Sequence, residues 1–301
     1  MENLILRSEQ ITPEWLTGVL RDMGTLLRGH VTCVTTVQEQ PAFASILSRL
    51  EVTYSGDSSP DAPKKLFLKI SNPALAPGEF DPGQLKREID FYSLVAPLMD
   101  RAFVIPCFSV AYDPPTGAVH LLLRDVSDTH AACLTPSKHT CELAVDALAC
   151  LHASWWDHPR LGKDIGKYPT PEERTQDWLD AEKSTAGFIS AVGDQLPPAF
   201  RAVYERVLPA LPALFQRHAT GRNLTLVHGD AHLGNFLFPI DPAAGSVYLL
   251  DWQFWHPTIA GTDLAFMMAV EWDPETRRSF EHHLLRRYHQ RLREKGVHGY
   301  S

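Results

Sequence analysis

Alternation of apolar and polar side chains organises the first third of the chain. In "SRLEVTY", Leu50, Val52 and Tyr54 alternate with Arg49, Glu51 and Thr53, the period of two expected of a strand with one buried face. The polar turn "SGDSSPDAP" follows, and "KKLFLKIS" returns as a second strand. The period then changes. "LKREIDFYSLVAPLM" places Leu85, Ile89, Tyr92 and Ala96 three or four apart, which predicts an amphipathic helix, the one helix read in this third. "IPCFSVAY" and "AVHLLLRDV" flank "DPPTG", a hairpin signal.

Beyond residue 124 the pattern turns helical. Thr135–Pro136 reads as a cap and first-turn pair opening a helix through "CELAVDALACLHASWW". Helical text resumes over residues 172–218, interrupted by "LPPAF". Two short apolar stretches, "NLTLVHGD" and "SVYLLDW", precede more helix to the end. The expected organisation is a small β-rich lobe over residues 1–123, a connector near Arg124–Ser127, and a larger, mainly helical lobe over 124–301 with a helical insert at about 157–222.

Composition narrows the function. At 301 residues the chain can hold one large domain or two lobes, and 44% hydrophobic with 21% charged residues is ordinary for a soluble protein. A net charge of −8 argues against nucleic acid as the main partner, because phosphate binding needs a basic surface. The five cysteines (33, 107, 133, 141, 150) contain no C-x-x-C pair and are odd in number, so neither a disulfide framework nor a structural zinc is expected. The start lacks a basic segment followed by an apolar run. No window reaches the roughly 18 apolar residues that span a bilayer. A cytoplasmic location without a membrane partner is the expectation, with the oligomeric state open.

The chemistry concentrates in "LVHGDAHLGNFLF" (Leu226 to Phe238). Asp230 and Asn235 lie in a loop after a strand, and Asp251 ends the next strand-like run. "PIDPAAG" between the runs reads as a hairpin turn that brings "HGDAHLGN" and "LDW" together. A carboxylate and an amide can hold Mg²⁺ through oxygen, leaving the other aspartate to accept a proton from a hydroxyl. Lys69, between Leu68 and Ile70, is costly in a strand without an anionic partner, and Glu88 on the next helix can supply it. Phe67 shares the Lys69 face, where an adenine ring can pack. Singly these residues have plainer explanations: a solvated lysine, a solvated helix glutamate, a core histidine at His228 bonded to backbone. Jointly, H-G-D-x-H-x-x-N, L-D-W and an upstream Lys and Glu make a pattern that decoration does not explain.

"VHGDAHLGNFLF…YLLDWQ…GTDLAF" resembles the aminoglycoside phosphotransferase and choline kinase group, and most of all its ecdysteroid-kinase-like family, from about Leu47 to about Met268. "KREIDFYSLV" is similar to the family's glutamate-bearing helix, "HLLLRDVSD" to its hinge, and "LHASWW" to the helix before its substrate insert. The resemblance implies an α+β, bilobal protein-kinase-like fold with a β-rich N-lobe and a mainly helical C-lobe. It implies ATP and Mg²⁺ as cofactors and a hydroxylated small molecule (aminoglycoside-, choline- or steroid-like) as acceptor. By position Asp230 is then the catalytic base, Asn235 and Asp251 are the metal ligands, and Lys69, partnered by Glu88, binds the phosphates. The Arg124 carbonyl and Val126 N–H meet the adenine edge. The family's small-residue loop falls on "EQPAFASIL", where the N–H groups of Phe43, Ala44 and Ser45, with the Ser45 hydroxyl, would face phosphate.

Three features depart from the pattern. No glycine stands between Gly29 and Gly56, Arg124 replaces the usual hinge glutamate, and the chain stops just after a helix where such kinases add more helical structure. Two other readings remain at this point. A metal-dependent hydrolase would use His228, Asp230, His232 and Asp251 as ligands, but leaves Lys69 and Glu88 without a role. A nucleotide-binding pseudokinase is favoured slightly by the missing glycines and disfavoured by the intact Asp230, Asn235, Asp251 and Lys69. The insert mixes acids (Glu172, Glu173, Asp177, Asp180, Glu182) with aromatics (Trp155, Trp156, Trp178, Phe188), a surface suited to amines or rings but equally to solvent.

Overall fold

Strand alternation has a direct structural consequence: it divides the N-terminal sheet into two working faces. The computed structural model describes residues 4–42, 44–72, 82–99, 103–214, 220–241 and 245–300. Its main sheet comprises β1 (Val31–Pro41), β2 (Ser45–Tyr54), β3 (Lys65–Ser71), β4 (Cys107–Asp113) and β5 (Ala118–Arg124), antiparallel in the order β1-β2-β3-β5-β4. Leu50 and Val52 of β2, Leu66, Leu68 and Ile70 of β3, and Leu122 of β5 pack on one face against Leu16 and Leu20 of helix α1 (Pro13–Asp22). The intervening residues, Leu47, Arg49, Phe67, Lys69, Leu121 and Leu123, line a cleft on the other face.

Three elements here differ from the sequence reading. Helix α1 is an additional helix in the first third, capped by the Thr12 hydroxyl accepting from Trp15 N–H, with Pro13 in its first turn. Strand β1 lies at the sheet edge and is exposed along most of its length, so it carries no alternation to detect. The helix read over 85–99 is α2 (Pro82–Asp90) followed by a π turn (Phe91–Val95) and a 3₁₀ turn (Ala96–Leu98). The wider turn shifts the helical phase, so Val95 is fully buried where a regular period would bury Ala96.

The C-terminal part is built on α3 (Lys138–Trp155), α4 (Pro171–Val192), α5 (Pro198–Val207), α6 (Gly261–Ala265) and α7 (Pro274–Glu294). Helix α3 starts two residues later than Thr135–Pro136 suggests. Ser137 is its cap, accepting from Thr140 N–H, while the Thr140 hydroxyl accepts from Ser137 N–H. Asp146 of α3 takes paired bonds from Arg287 (2.7 and 2.7 Å) and Arg291 (3.1 and 3.0 Å), which fasten α7 along it. The insert helices α4 and α5 bury no residue. Short strands β6 (His130–Ala132), β8 (Phe236–Pro239) and β9 (Tyr248–Leu249) form one small sheet, and β7 (Thr225–Val227) pairs with β10 (His256–Thr258). Among the described residues no helix is long and apolar enough to cross a membrane.

His120 of β5 is fully buried between Ile5 N–H (3.0 Å) and the Ser109 hydroxyl (2.8 Å), and burial pushes its imidazole down to about 4. Its ordinary value is 6.5. A depressed histidine contributes stability that is complete above the unfolded value and is lost as pH falls from there toward the folded one. Unfolding free energy is therefore expected to fall by roughly 3 kcal/mol on this account between pH 6.5 and pH 4. Denaturant titrations of His120→Gln should show a flatter pH dependence in that window than wild type; parallel curves would remove His120 as the cause.

Candidate active site

Lys69 sits mid-strand on β3, opposite Leu47 of β2 and Leu121 of β5, so its ammonium has little access to water and needs anions. Two are supplied. Glu88 Oε2 lies 2.6 Å from Lys69 Nζ, and Asp251 Oδ1 lies 2.7 Å from it. Burial pushes the ammonium down, but the two carboxylates outweigh it and hold Lys69 above the ordinary lysine range. The three charges sum to −1, an excess that favours a further cation at the exposed member, Asp251, whose side chain is 43% accessible.

Glu88 is held in place through its neighbours on α2 and the π turn that follows it. Arg87 O accepts from Trp255 Nε1 (2.8 Å), and Phe91 stacks on Trp252 with centroids 3.8 Å apart and planes 8° from parallel. Both tryptophans come from the segment that carries Asp251. Between them Gln253 Nε2 donates to Asp251 Oδ1 (2.8 Å), and its side chain also bonds Glu88. Asp251 itself has φ +61°, left-handed backbone that asparagine and aspartate tolerate better than most side chains. Such conformations persist where the surroundings fix them.

The segment from His228 to Asn235 leaves β7, makes a 3₁₀ turn (Leu233–Asn235) and enters β8. Asn235 Nδ2 donates to Asp230 O (2.8 Å) and to Asp230 Oδ2 (3.0 Å). This leaves Asp230 Oδ1 as the carboxylate oxygen not engaged by the amide. It also fixes which end of the Asn235 side chain carries the lone pairs. The hairpin expected from "PIDPAAG" joins β8 to β9, with Phe236 opposite Leu249; residues 242–244 of that turn lie outside the described residues. The sequence pattern pairs the β7 run with "SVYLLDW", whereas in the structure β7 pairs with β10. The expected approach still results, because Leu250 N–H donates to Asn235 O (2.9 Å).

Asp263, on α6, anchors this loop from below. It is fully buried, and its oxygens accept from His228 N–H (2.7 Å), Gly229 N–H (2.8 Å) and His152 Nε2 (3.1 Å). Burial pushes its carboxyl up, but the His152 bond and the charges around it prevail and hold it below the usual range. His152 in turn meets the Tyr288 hydroxyl at 2.7 Å, linking α3, α6 and α7. Gly229 is required at its position: φ is +83°, and a Cβ would lie 2.2 Å from Phe254 O. Asp263, His152 and Gln253 were not singled out in sequence, although each lies inside a stretch that carries the resemblance.

The two histidines of the loop serve as scaffold. His228 Nε2 bonds Leu250 O (2.6 Å), its Nδ1 accepts from Asp230 N–H (3.3 Å), and burial lowers its basicity. His232 Nδ1 accepts from Gly234 N–H (3.1 Å). With both ring nitrogens of His228 committed to backbone, the four-ligand set of a hydrolase does not assemble.

Lys69, Glu88, Asn235 and Asp251 line one cavity of about 600 Å³, together with Phe67 and the connector Arg124–Ser127. Ala44 and Ser45 are placed differently. Both are buried where β2 begins, Ser45 opposite Ser71, and neither lines the cavity. Phe43 lies outside the described residues. A larger hollow of about 940 Å³ opens between α6 and α7, but it contains none of the constellation.

A β-sheet N-terminal part joined to a helical C-terminal part through such a cleft is the architecture of protein-kinase-like phosphotransferases. Macrolide 2′-phosphotransferase MphH from Brachybacterium faecium is similar over 96% of this chain and 84% of its own, with a TM-score of 0.53 and 14% identity. Choline kinase LicA from Streptococcus pneumoniae is similar over 94% of this chain and 85% of its own, with a TM-score of 0.46 and 16% identity. No curated protein sequence matches the chain. The chain belongs to the ecdysteroid kinase-like family, whose model matches residues 40–298, beyond both ends of the Leu47–Met268 stretch. Membership indicates phosphotransferase chemistry of the kinase type on small molecules.

Proposed function

We propose that the protein is an ATP-dependent O-kinase that moves the γ-phosphoryl group to a hydroxyl of a small molecule. The observation that carries this reading is that Lys69, ion-paired with Glu88 and Asp251, shares one cleft with Asn235, whose side-chain amide donates to Asp230. Residues 1–123 then form the nucleotide lobe and 124–301 the catalytic and acceptor lobe, with the Arg124 carbonyl and Val126 N–H at the adenine edge. Phosphoryl transfer needs little covalent help, so placement and charge do most of the work. Lys69 holds the phosphates, and Glu88 keeps its ammonium aimed at them. The donor set suits Mg²⁺: a carboxylate at Asp251 and an amide oxygen at Asn235, both hard ligands, beside a net charge of −1. When bound, that ion offsets charge on the phosphate oxygens. Asp230 orients the acceptor hydroxyl through Oδ1 and takes its proton late.

The acceptor is read as aminoglycoside-, choline- or steroid-like, docking against the insert. Thermal shifts with Mg²⁺, a non-hydrolysable ATP analogue and a panel of hydroxylated compounds, followed by transfer assays on the hits, test this. Nucleotide binding without transfer to any hit would favour the pseudokinase instead. Lys69→Ala is expected to impair ATP use more than acceptor binding. It also leaves Glu88 buried beside Asp251, so stability should fall by up to about 3–5 kcal/mol, less whatever Glu88 regains by protonation. Wild-type kinetics for ATP together with an unchanged melting temperature would make Lys69 a bystander.

A further inference from the structure

Beyond Lys69, the same face of the sheet carries a second cation whose surroundings are unusual. Arg49 of β2 pairs directly across the ladder with Phe67 of β3, while Lys69 pairs with Leu47. Phe67 and Arg49 therefore stand one two-residue step, about 6.6 Å, along the cleft from the lysine. If the lysine meets phosphate, that step leads to the base end of a nucleotide. This end is bordered by the connector Asp125–Ser127, which also lines the cavity.

Arg49 is not a free surface arginine. Its Nη1 lies 2.7 Å from Asp125 Oδ2, and its guanidinium carbon is 6.0 Å from the centroid of the Phe67 ring. Asp125 is itself fixed, with its side chain 7% accessible and Oδ1 accepting from Ser127 N–H at 2.8 Å. The bond to Asp125 thus carries a flat guanidinium from the sheet to the connector, beside a flat aromatic ring. The pair fixes the guanidinium in place at the cleft edge, its own side chain 38% accessible and that of Asp125 7%. What it builds is a planar, partly desolvated surface at the base end of the cleft. A planar cation attracts an aromatic face, and an aromatic ring offers stacking area.

We propose that Arg49, held by Asp125 beside Phe67, is a nucleotide-affinity residue that stacks on the face of the purine. It supplies base binding in a protein whose phosphate-side loop has no glycine between Gly29 and Gly56. This rests on the kinase reading above and adds to it the residue that senses the base rather than the phosphates.

Two probes separate those parts: a non-hydrolysable ATP analogue, and inorganic tripolyphosphate, each titrated with Mg²⁺ by calorimetry. In Arg49→Ala the analogue should bind about three- to thirtyfold more weakly, the range for one cation–π contact, while tripolyphosphate binds as to wild type. Arg49→Lys retains the charge next to Asp125 but not the flat face, so it should keep most of that loss. Melting curves of both variants check that the fold survives, and the lysine variant carries the test if the alanine variant is unstable. Equal weakening for both probes would make Arg49 a phosphate contact and overturn the proposal. So would wild-type affinity for the analogue in either variant. Failure of the wild-type protein to bind either probe would instead sink the kinase reading, a result distinct from any failure at Arg49.

Discussion

Asp251→Ala is expected to lower Mg²⁺-dependent phosphoryl transfer by about a thousandfold or more while leaving the fold intact. The side chain is 43% accessible, so its removal opens no core cavity. Alanine at φ +61° costs on the order of 1 kcal/mol, and Leu250 N–H and Gln253 N–H still hold the segment through Asn235 O and Asp251 O. What is lost is chemical. Asp251 is one of two oxygen ligands proposed for the cation, and it accepts from both Lys69 Nζ and Gln253 Nε2. Without it, Lys69 and Glu88 form a neutral pair, and the net charge of −1 that attracts the ion disappears. Several kcal/mol of transition-state stabilisation at about 1.4 kcal/mol per factor of ten gives the stated loss. Transfer rates measured across Mg²⁺ concentrations, beside melting curves, decide the matter. Near-wild-type turnover at saturating Mg²⁺ would remove Asp251 from the metal site.

The parts legible in the sequence were those where a residue type conflicts with its local pattern. A lysine inside "LFLKIS" must find an anion, and helix α2 presents one; the structure forms that pair at 2.6 Å. Polar residues between apolar runs at 226–238 must be satisfied, and Asn235 and His228 find backbone and Asp230. What escaped was set by contacts distant in sequence or by geometry without a pattern. Strand β1 is exposed and edge-lying, so nothing alternates. The partner of "SVYLLDW" turned on β8, four residues long, which reads as a continuation of the loop. Asp263 lies in "GTDLAF", and only the fold shows that its carboxylate receives two N–H groups from 34 and 35 residues upstream. Helix α3 is capped by Ser137 rather than by the Thr135–Pro136 pair read in the sequence, because the Thr140 side chain completes a reciprocal cap there.

Asp230→Asn is the substitution that isolates proton transfer from nucleotide and metal binding. An acceptor hydroxyl carries a proton that must leave as its oxygen attacks phosphorus, and a carboxylate within hydrogen-bond reach both orients the hydroxyl and receives the proton. Asp230 is arranged for this. Oδ2 is tied to Asn235 Nδ2 at 3.0 Å, and His232 Nε2 stands 3.7 Å from the same oxygen, which leaves Oδ1 for the acceptor. The loop itself is fixed by Asp263 through His228 N–H and Gly229 N–H, so changing residue 230 does not release it. Asparagine keeps the size and one acceptor oxygen but cannot take the proton. Transfer is expected to fall by about 10²–10⁴-fold, the usual contribution of a positioned base. Binding of the Mg²⁺–nucleotide complex should change little, because Asn235, Asp251 and Lys69 remain. Single-turnover transfer and nucleotide affinity, measured in parallel on variant and wild type with an acceptor from the screen, separate the two. A wild-type transfer rate would exclude Asp230 as the base. A loss of nucleotide affinity as large as the loss of rate would make it a ligand of the metal complex instead.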